Sequence, residues 1–276
     1  MGGNKERARE RREQRLQEIS LLRTIPYSDH QRWWSKETIA VVTGSNRGIG
    51  FEIARQLAAH GLTVVLTSRD ECVGQEATRV LREGGLDVAF HQLDVLDPSS
   101  IQLFVDWIRQ TYEGIHVLRI EDLNLRRKLG DLDTLTEELI DRTVATFLQQ
   151  VDDGTWTSGG WPQTFTDYSV SKLAVNAYTR LMAKILSDRP EGEKIYVNCY
   201  CPGWVKTAMT GWAGNISVED GADTGVWLAL LPDQAVTGKF FAERREICLA
   251  VRRDDRALAS IILWWAHEKL GISVKG

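Results

Sequence analysis

Two short motifs in this chain of 276 residues could do chemistry. In Thr43-Gly44-Ser45-Asn46-Arg47-Gly48-Ile49-Gly50 the glycine spacing suits a turn that cradles a dinucleotide pyrophosphate. Gly44 can take a tight turn and Gly48 lets backbone approach phosphate. Gly50 lets the next helix pack close to its strand, so that its N-terminal N–H groups face the anion. The ligand this implies is a nicotinamide cofactor. In Tyr168-Ser169-Val170-Ser171-Lys172 a phenol and an ammonium stand at i and i+4, which on a helix puts the cation beside the hydroxyl. A tyrosine near its ordinary pKa of about 10 is a poor proton donor or acceptor at neutral pH, and a fixed positive charge moves it toward the useful range.

The elements around the motifs give them their weight. Thr38 to Val42 reads as a strand, Ile49 to His60 as a helix closed by Gly61, and Thr63 to Thr67 as a β-branched second strand. A second unit follows, with a helix Gln75 to Arg82, a strand Asp87 to Leu93, and a helix Ser99 to Tyr112 started by Asp97-Pro98. Further along come helices over Thr134 to Val151 and around Tyr168 to Leu186, a strand Lys194 to Tyr200, a helix begun by Ser217 with Asp220 three residues on, and a strand Lys239 to Ala242. Strands alternating with helices of this size predict an α/β fold, a Rossmann-type doubly wound parallel sheet with helices on both faces.

The bulk numbers fit a soluble enzyme. With 43% hydrophobic and 26% charged residues the composition is ordinary globular, and a net charge of −4 gives no electrostatic reason to expect nucleic acid. The four cysteines are too few for a disulfide framework and lack metal-ligand spacing, so the expectation is a cytoplasmic protein without a metal site. Residues 1–36 carry nine Lys/Arg against five Asp/Glu and read as a basic, helical arm; 37–246 read as the Rossmann-type domain and 247–276 as a helical tail. The tail's apolar cluster, Ile261 to Ala266, is far short of the about 20 residues a membrane span needs. It suits either a packed helix or an interfacial anchor.

Charge also bears on the cofactor. Ser68-Arg69 follows the second strand where an NAD enzyme would carry a ribose-binding acid, and Arg47 adds a cation within reach of a 2′-phosphate. The expected cofactor is therefore NADP(H), although Asp70 could instead pair with Arg69.

With both motifs, and Pro202-Gly203-Trp204-Val205-Lys206-Thr207 after a strand, the chain resembles the short-chain dehydrogenase/reductase family. Gly159-Gly160-Trp161-Pro162 before the tyrosine makes it similar to the plant carbonyl-reductase branch, with its salutaridine-reductase-like and neomenthol-reductase-like members. The resemblance implies hydride transfer between NADP(H) and a small apolar ketone or alcohol. It makes Tyr168 the acid/base and gives Lys172 the nicotinamide ribose as well as the tyrosine pKa. Gly44, Asn46, Arg47, Gly48, Ile49, Gly50, Ser68 and Arg69 would hold the pyrophosphate and ribose end, Asp94 and Val95 the adenine, and Pro202, Gly203, Val205 and Thr207 the nicotinamide. Asp94 could equally end a strand and Thr207 cap the next segment. In that branch a helical insertion before the tyrosine covers the face used for dimerisation, which predicts a monomer.

One family feature is missing. Gly114 to Leu118 begins like the fourth strand but runs into Arg119-Ile120-Glu121-Asp122-Leu123, without the Asn-Asn-Ala-Gly turn and serine-bearing strand the family shows. A strand–helix–strand segment near 118–130 is expected to be absent. Ser158 is the nearest replacement serine, and its Gly159-Gly160 neighbours suggest a loop. The alternatives to an active reductase are a shortened form with partial cofactor binding and little catalysis, or a non-catalytic binding protein.

Overall fold

The computed structural model describes residues 10, 13–14, 17–18, 20–21, 32–112, 117–119, 135–161, 166–190, 194–231 and 236–247. The chain divides into two compact units, Met1–Asp122 with Asn198–Glu246 and Leu123–Val197 with Ile247–Gly276. The apolar tail cluster, Pro162 and most of the basic arm lie outside the described residues.

The first unit is built on β1 (Ile39–Val42), α1 (Gly48–Ala59), β2 (Thr63–Ser68), α2 (Glu71–Glu83), β3 (Val88–Gln92), α3 (Pro98–Tyr112) and β4 (Val117–Arg119). The strands form a four-stranded parallel sheet in the order β3-β2-β1-β4. Ala40 and Val42 on β1 enter one core cluster with Ile53, Leu57, Val64 and Leu66. Ile39 and Val41 enter another with Val65, Phe104 and Ile108. Because both faces are covered, β1 and β2 read as apolar runs without polar alternation.

Helix α2 starts at Glu71, four residues before the expected Gln75, because Asp70 caps it, whereas Asp97 and Gly61 act as the sequence predicts. Asp70 accepts from Val73 N–H at 2.9 Å to start α2, Asp97 accepts from Ser99 N–H at 2.9 Å to start α3, and Gly61 leaves α1 at φ +89°.

The same unit contains β5 (Cys199–Cys201), a 3₁₀ turn at Ala208–Thr210, α6 (Val218–Ala229), β6 (Phe240–Ala242) and β7 (Arg245–Glu246). Here β5 runs parallel to β6 and β6 antiparallel to β7. Ser217 caps α6, accepting from Asp220 N–H at 3.0 Å as its spacing predicts. The strand expected over Lys194 to Tyr200 is confined to Cys199–Cys201. At its entry the Asn198 side chain takes over the ladder's role, donating to Val236 O at 2.6 Å and accepting from Lys239 N–H at 3.1 Å. Among the described residues no strand stands between β4 and β5, so the strands form two sheets rather than one. Ala222, Val226 and Leu230 join the core cluster of α1, carrying that core across to the second sheet's helix.

Residues 32–34 form a strap over the C-terminal ends of α1 and α6. Trp34 is buried in the core, and its Nε1 donates to His60 O at 3.0 Å. Arg32 donates to the same carbonyl at 3.2 Å, and Trp33 Nε1 donates to Leu230 O at 3.3 Å. Carbonyls orphaned where the two helices end thus gain donors, one of them cationic, as the helix dipole favours.

The second unit holds α4 (Glu137–Asp152), a 3₁₀ turn at Trp156–Ser158 and α5 (Thr166–Leu186). Thr136 caps α4 by accepting from Leu139 N–H, so the helix starts slightly later than the expected Thr134. Leu135, Ile140, Ala177 and Leu181 form its small core, and Phe147 meets Trp161 edge to face at 5.2 Å.

Trp34→Ala should lower stability by roughly 3–5 kcal/mol, as removal of a buried aromatic does, measured by denaturant unfolding. The His60 imidazole is held below its usual pKa by burial and then by the Arg32 and Arg244 guanidinium groups. The unfolded chain therefore takes up this proton first, and stability falls as pH drops below about 6.5. Thermal unfolding between pH 7.5 and 5.5 should show that decline, and His60→Gln should flatten it.

Candidate functional site

The glycine turn joins β1 to α1 and depends on missing side chains. Gly44 and Gly48 stand at φ +59° and +60°, a region L side chains rarely adopt. A Cβ on Gly50 would lie 2.7 Å from the Gly44 carbonyl oxygen, so only glycine lets the first turn of α1 seat against the turn. Ser45 stitches this loop to β2. Its N–H donates to Thr67 O at 3.0 Å, its hydroxyl donates to Val42 O at 2.6 Å, and the hydroxyl oxygen accepts from Thr67 N–H at 3.1 Å. Sequence reasoning missed Ser45; its place directly after Gly44 was the available signal.

The start of α1 is suited to an anion. Its N-cap is Arg47, with no side-chain cap and no acid in the first turn, whereas α2, α4 and α6 have capping side chains from Asp70, Thr136 and Ser217. N–H groups left by the missing cap point outward with the positive end of the helix dipole. Glu52, one turn in, is buried. Burial alone would raise its carboxyl pKa, yet the bonds from Arg55 and Gln56 outweigh this and hold it below the usual range. Asn46 and Ile49 are half-buried in the turn and Arg47 is exposed.

Ser68 is buried at the end of β2 and Arg69 is exposed beyond it. The sequence left open a pair between Arg69 and Asp70; Asp70 instead caps α2. Asp94 follows β3 in a local turn, accepting from Leu96 N–H at 3.0 Å, and Val95 is exposed beside it.

Residues 202–216 form a tightly bonded loop. Gly203 stands at φ +80°, and Val205 is buried and bridged in parallel to Ile216. A Cβ on Gly214 would lie 2.1 Å from the Val205 carbonyl carbon, and one on Gly221 would lie 2.5 Å from Val205 Cγ2. Thr207 caps the 3₁₀ turn, as its alternative reading held, and shares a capping box with Thr210. The Thr207 methyl lies 3.8 Å from where a Gly48 Cβ would stand, so this loop and the glycine turn adjoin.

Tyr168 and Lys172 lie on α5 in the second unit, one turn apart as predicted. The Lys172 ammonium sits over the Tyr168 ring, 5.1 Å from its centroid, a cation–π contact. Ser158 ends the 3₁₀ turn, exposed, with its hydroxyl bonded to Thr155 O at 2.9 Å.

A parallel sheet whose first strand runs through a glycine turn into an uncapped helix defines a Rossmann-type α/β protein. Residues 38–151 match the family described as short chain dehydrogenase. The chain is 32% identical to carbonyl reductase (NADPH) 1 of Bos taurus over 276 aligned positions, covering 77% of this chain and 99% of the relative. It is 33% identical to (+)-neomenthol dehydrogenase of Arabidopsis thaliana, covering 75% and 96%. Salutaridine reductase from Papaver somniferum superposes with a TM-score of 0.68 at 28% identity, covering 74% of this chain and 99% of that one. The chain belongs to the short-chain dehydrogenase/reductase family. The aligned span to the bovine relative is longer than the part of this chain it takes in, so that relative has stretches without counterpart here.

Gly50→Ala and Gly214→Ala should each lower stability by roughly 1–3 kcal/mol through overpacking against backbone. In contrast Gly85→Ala, where φ is +78° but no atom lies within 4 Å, should cost only the left-handed penalty of about 1 kcal/mol. Denaturant midpoints of the three variants provide the comparison.

Proposed function

We propose that this protein is an NADP(H)-dependent carbonyl reductase acting on a small, mostly apolar ketone. The observation that carries the reading is the uncapped start of α1 behind Gly44 and Gly48, with Thr207 against the same turn. That cradle fits a dinucleotide: Gly44, Gly48 and Gly50 bring no side chains to it, the first turn of α1 holds no acid, and the uncapped helix start presents donors. When bound, the cofactor supplies hydride to the carbonyl carbon.

The residues of this chain do the rest. Backbone N–H groups of the Gly48–Gly50 turn hold the pyrophosphate, and Arg47 and Arg69 bind the 2′-phosphate as exposed cations. Asp94 and Val95 flank the adenine, while Pro202, Gly203, Val205 and Thr207 support the nicotinamide. Tyr168 gives its Oη proton to the carbonyl oxygen, and the positive charge of Lys172 stabilises the phenolate left behind. Support for NADP(H) comes from the two arginines and from the NADPH carbonyl reductases among the relatives. The protein is expected to act as a cytoplasmic monomer; Cys72 and Cys201 are thiols outside any disulfide, which suits a reducing compartment. Among the described residues no helix is long and apolar enough to cross a membrane.

A second reading, partial cofactor binding with little catalysis, is favoured by the break between β4 and β5 and by the missing family serine. NADPH oxidation with a panel of cyclic ketones separates the two. Turnover abolished by Tyr168→Phe establishes the reductase. Cooperative unfolding shifted upward by NADPH without any turnover establishes the second reading, since a ligand stabilises only a state that binds it. Arg69→Ala should weaken NADPH by about tenfold or more, as loss of a charge-assisted bond does, while leaving NADH affinity unchanged; an unchanged NADPH-to-NADH ratio would overturn the cofactor assignment.

A further inference from the structure

The loop that carries Thr207 also carries an aromatic side chain in an unfavourable position. Trp212 has φ +63°, directly after Gly211 at φ +57°. A bulky residue in the left-handed region costs conformational energy, and glycine or asparagine would relieve it. The Trp212 indole is also 63% exposed and joins no core cluster among the described residues. Folding alone gives no reason for tryptophan here.

Its backbone is tied to the nicotinamide side of the proposed cofactor site. Trp212 N–H donates to Thr207 O at 2.9 Å, and that carbonyl also accepts from Thr210 N–H at 3.1 Å. Thr210 Oγ1 donates to Val205 O at 2.7 Å, and Trp204 Nε1 donates to Ala213 O at 3.1 Å. The loop backbone is therefore preorganised, and it fixes where the Trp212 side chain leaves the chain relative to Thr207. No residue from Thr207 to Ile216 is charged, and Met209 adds an exposed thioether.

Resting on the reading of Thr207 as a nicotinamide contact, we propose that Trp212 is the specificity-determining platform for the ketone, stacking on an uncharged substrate with a flat apolar ring body. A ketone must lie beside the nicotinamide to receive hydride, and the exposed indole, on a backbone bonded to Thr207, is the one aromatic face in the segment from Thr207 to Ile216. Aromatic stacking gives affinity, and a backbone already fixed in the free protein lowers the ordering cost of binding.

The test is calorimetric binding of 2-tetralone to the protein saturated with NADP⁺, which reads ketone affinity without turnover. Trp212→Ala should weaken 2-tetralone about tenfold and leave NADP⁺ affinity within twofold, while Trp212→Phe keeps most of the ketone affinity. Trp212→Gly should lose ketone affinity yet unfold at an equal or higher temperature, because it relieves the left-handed strain. Equal 2-tetralone affinity in wild type and Trp212→Ala overturns the proposal, as does wild-type protein that binds NADP⁺ but no 2-tetralone. Loss of NADP⁺ affinity together with the ketone's makes Trp212 structural and also overturns it. Wild-type protein that binds no NADP⁺ overturns the cofactor reading itself, and this inference with it.

Discussion

The close approach of α1 to the turn before it is the constraint on which the first unit depends. With no side chain at Gly50, the helix begins almost in contact with the Gly44 carbonyl, and its buried face reaches down to Ala40, Val42, Val64 and Leu66. The same helix shares its core with Ala222, Val226 and Leu230. One packing decision at one glycine thus sets the sheet's cover, the direction of the helix N-terminus and the seat of α6. Ser45 completes it by closing Val42 and Thr67 into one hydrogen-bonded corner. The glycine turn and the hydrophobic core are here two faces of a single geometric requirement.

Electrostatics follow from that geometry. Where the other helix starts use Asp70, Thr136 and Ser217 to satisfy their own donors, α1 has an arginine that cannot accept. A helix that leaves its donors to solvent gives up part of its own stability, and a bound anion would return it. Charge is handled differently in the interior. Asp223 and Arg244 pair with little exposure between α6 and the turn that joins β6 to β7, and the Glu52 carboxyl, despite its burial, is held below its usual range by Arg55 and Gln56 on α1. Both arrangements are costly to break on one side, since the remaining charge would be stranded.

Much of the first unit was legible in the sequence because its signals are local. The apolar runs of β1 and β2, Gly61 after α1, Asp97 before α3 and the Ser217 cap all act within a few residues of themselves. The glycine turn was legible for the same reason. What escaped were features that join distant residues: the Trp33 and Trp34 bonds to helix ends, the Asn198 bridge that shortens β5, and the left-handed tryptophan at 212. The Tyr168–Lys172 pair was found by its helical spacing, which brings the ammonium against the phenol ring. The missing strand was legible only through the resemblance, as no local rule demands a partner for β4.

The strap at residues 32–34 has a bearing on how the molecule is made. Trp33 bonds a carbonyl 197 positions further along, in a unit whose two chain segments are separated by the whole span Leu123–Val197. On a ribosome, then, one of the first described segments to emerge must wait for one of the last. Until residue 230 has cleared the exit tunnel, two adjacent tryptophans and the end of α1 lack their final neighbour, and the nascent chain offers apolar surface to any chaperone or sister chain nearby. The order of synthesis, and not only the final energy, sets the hazard this fold has to survive.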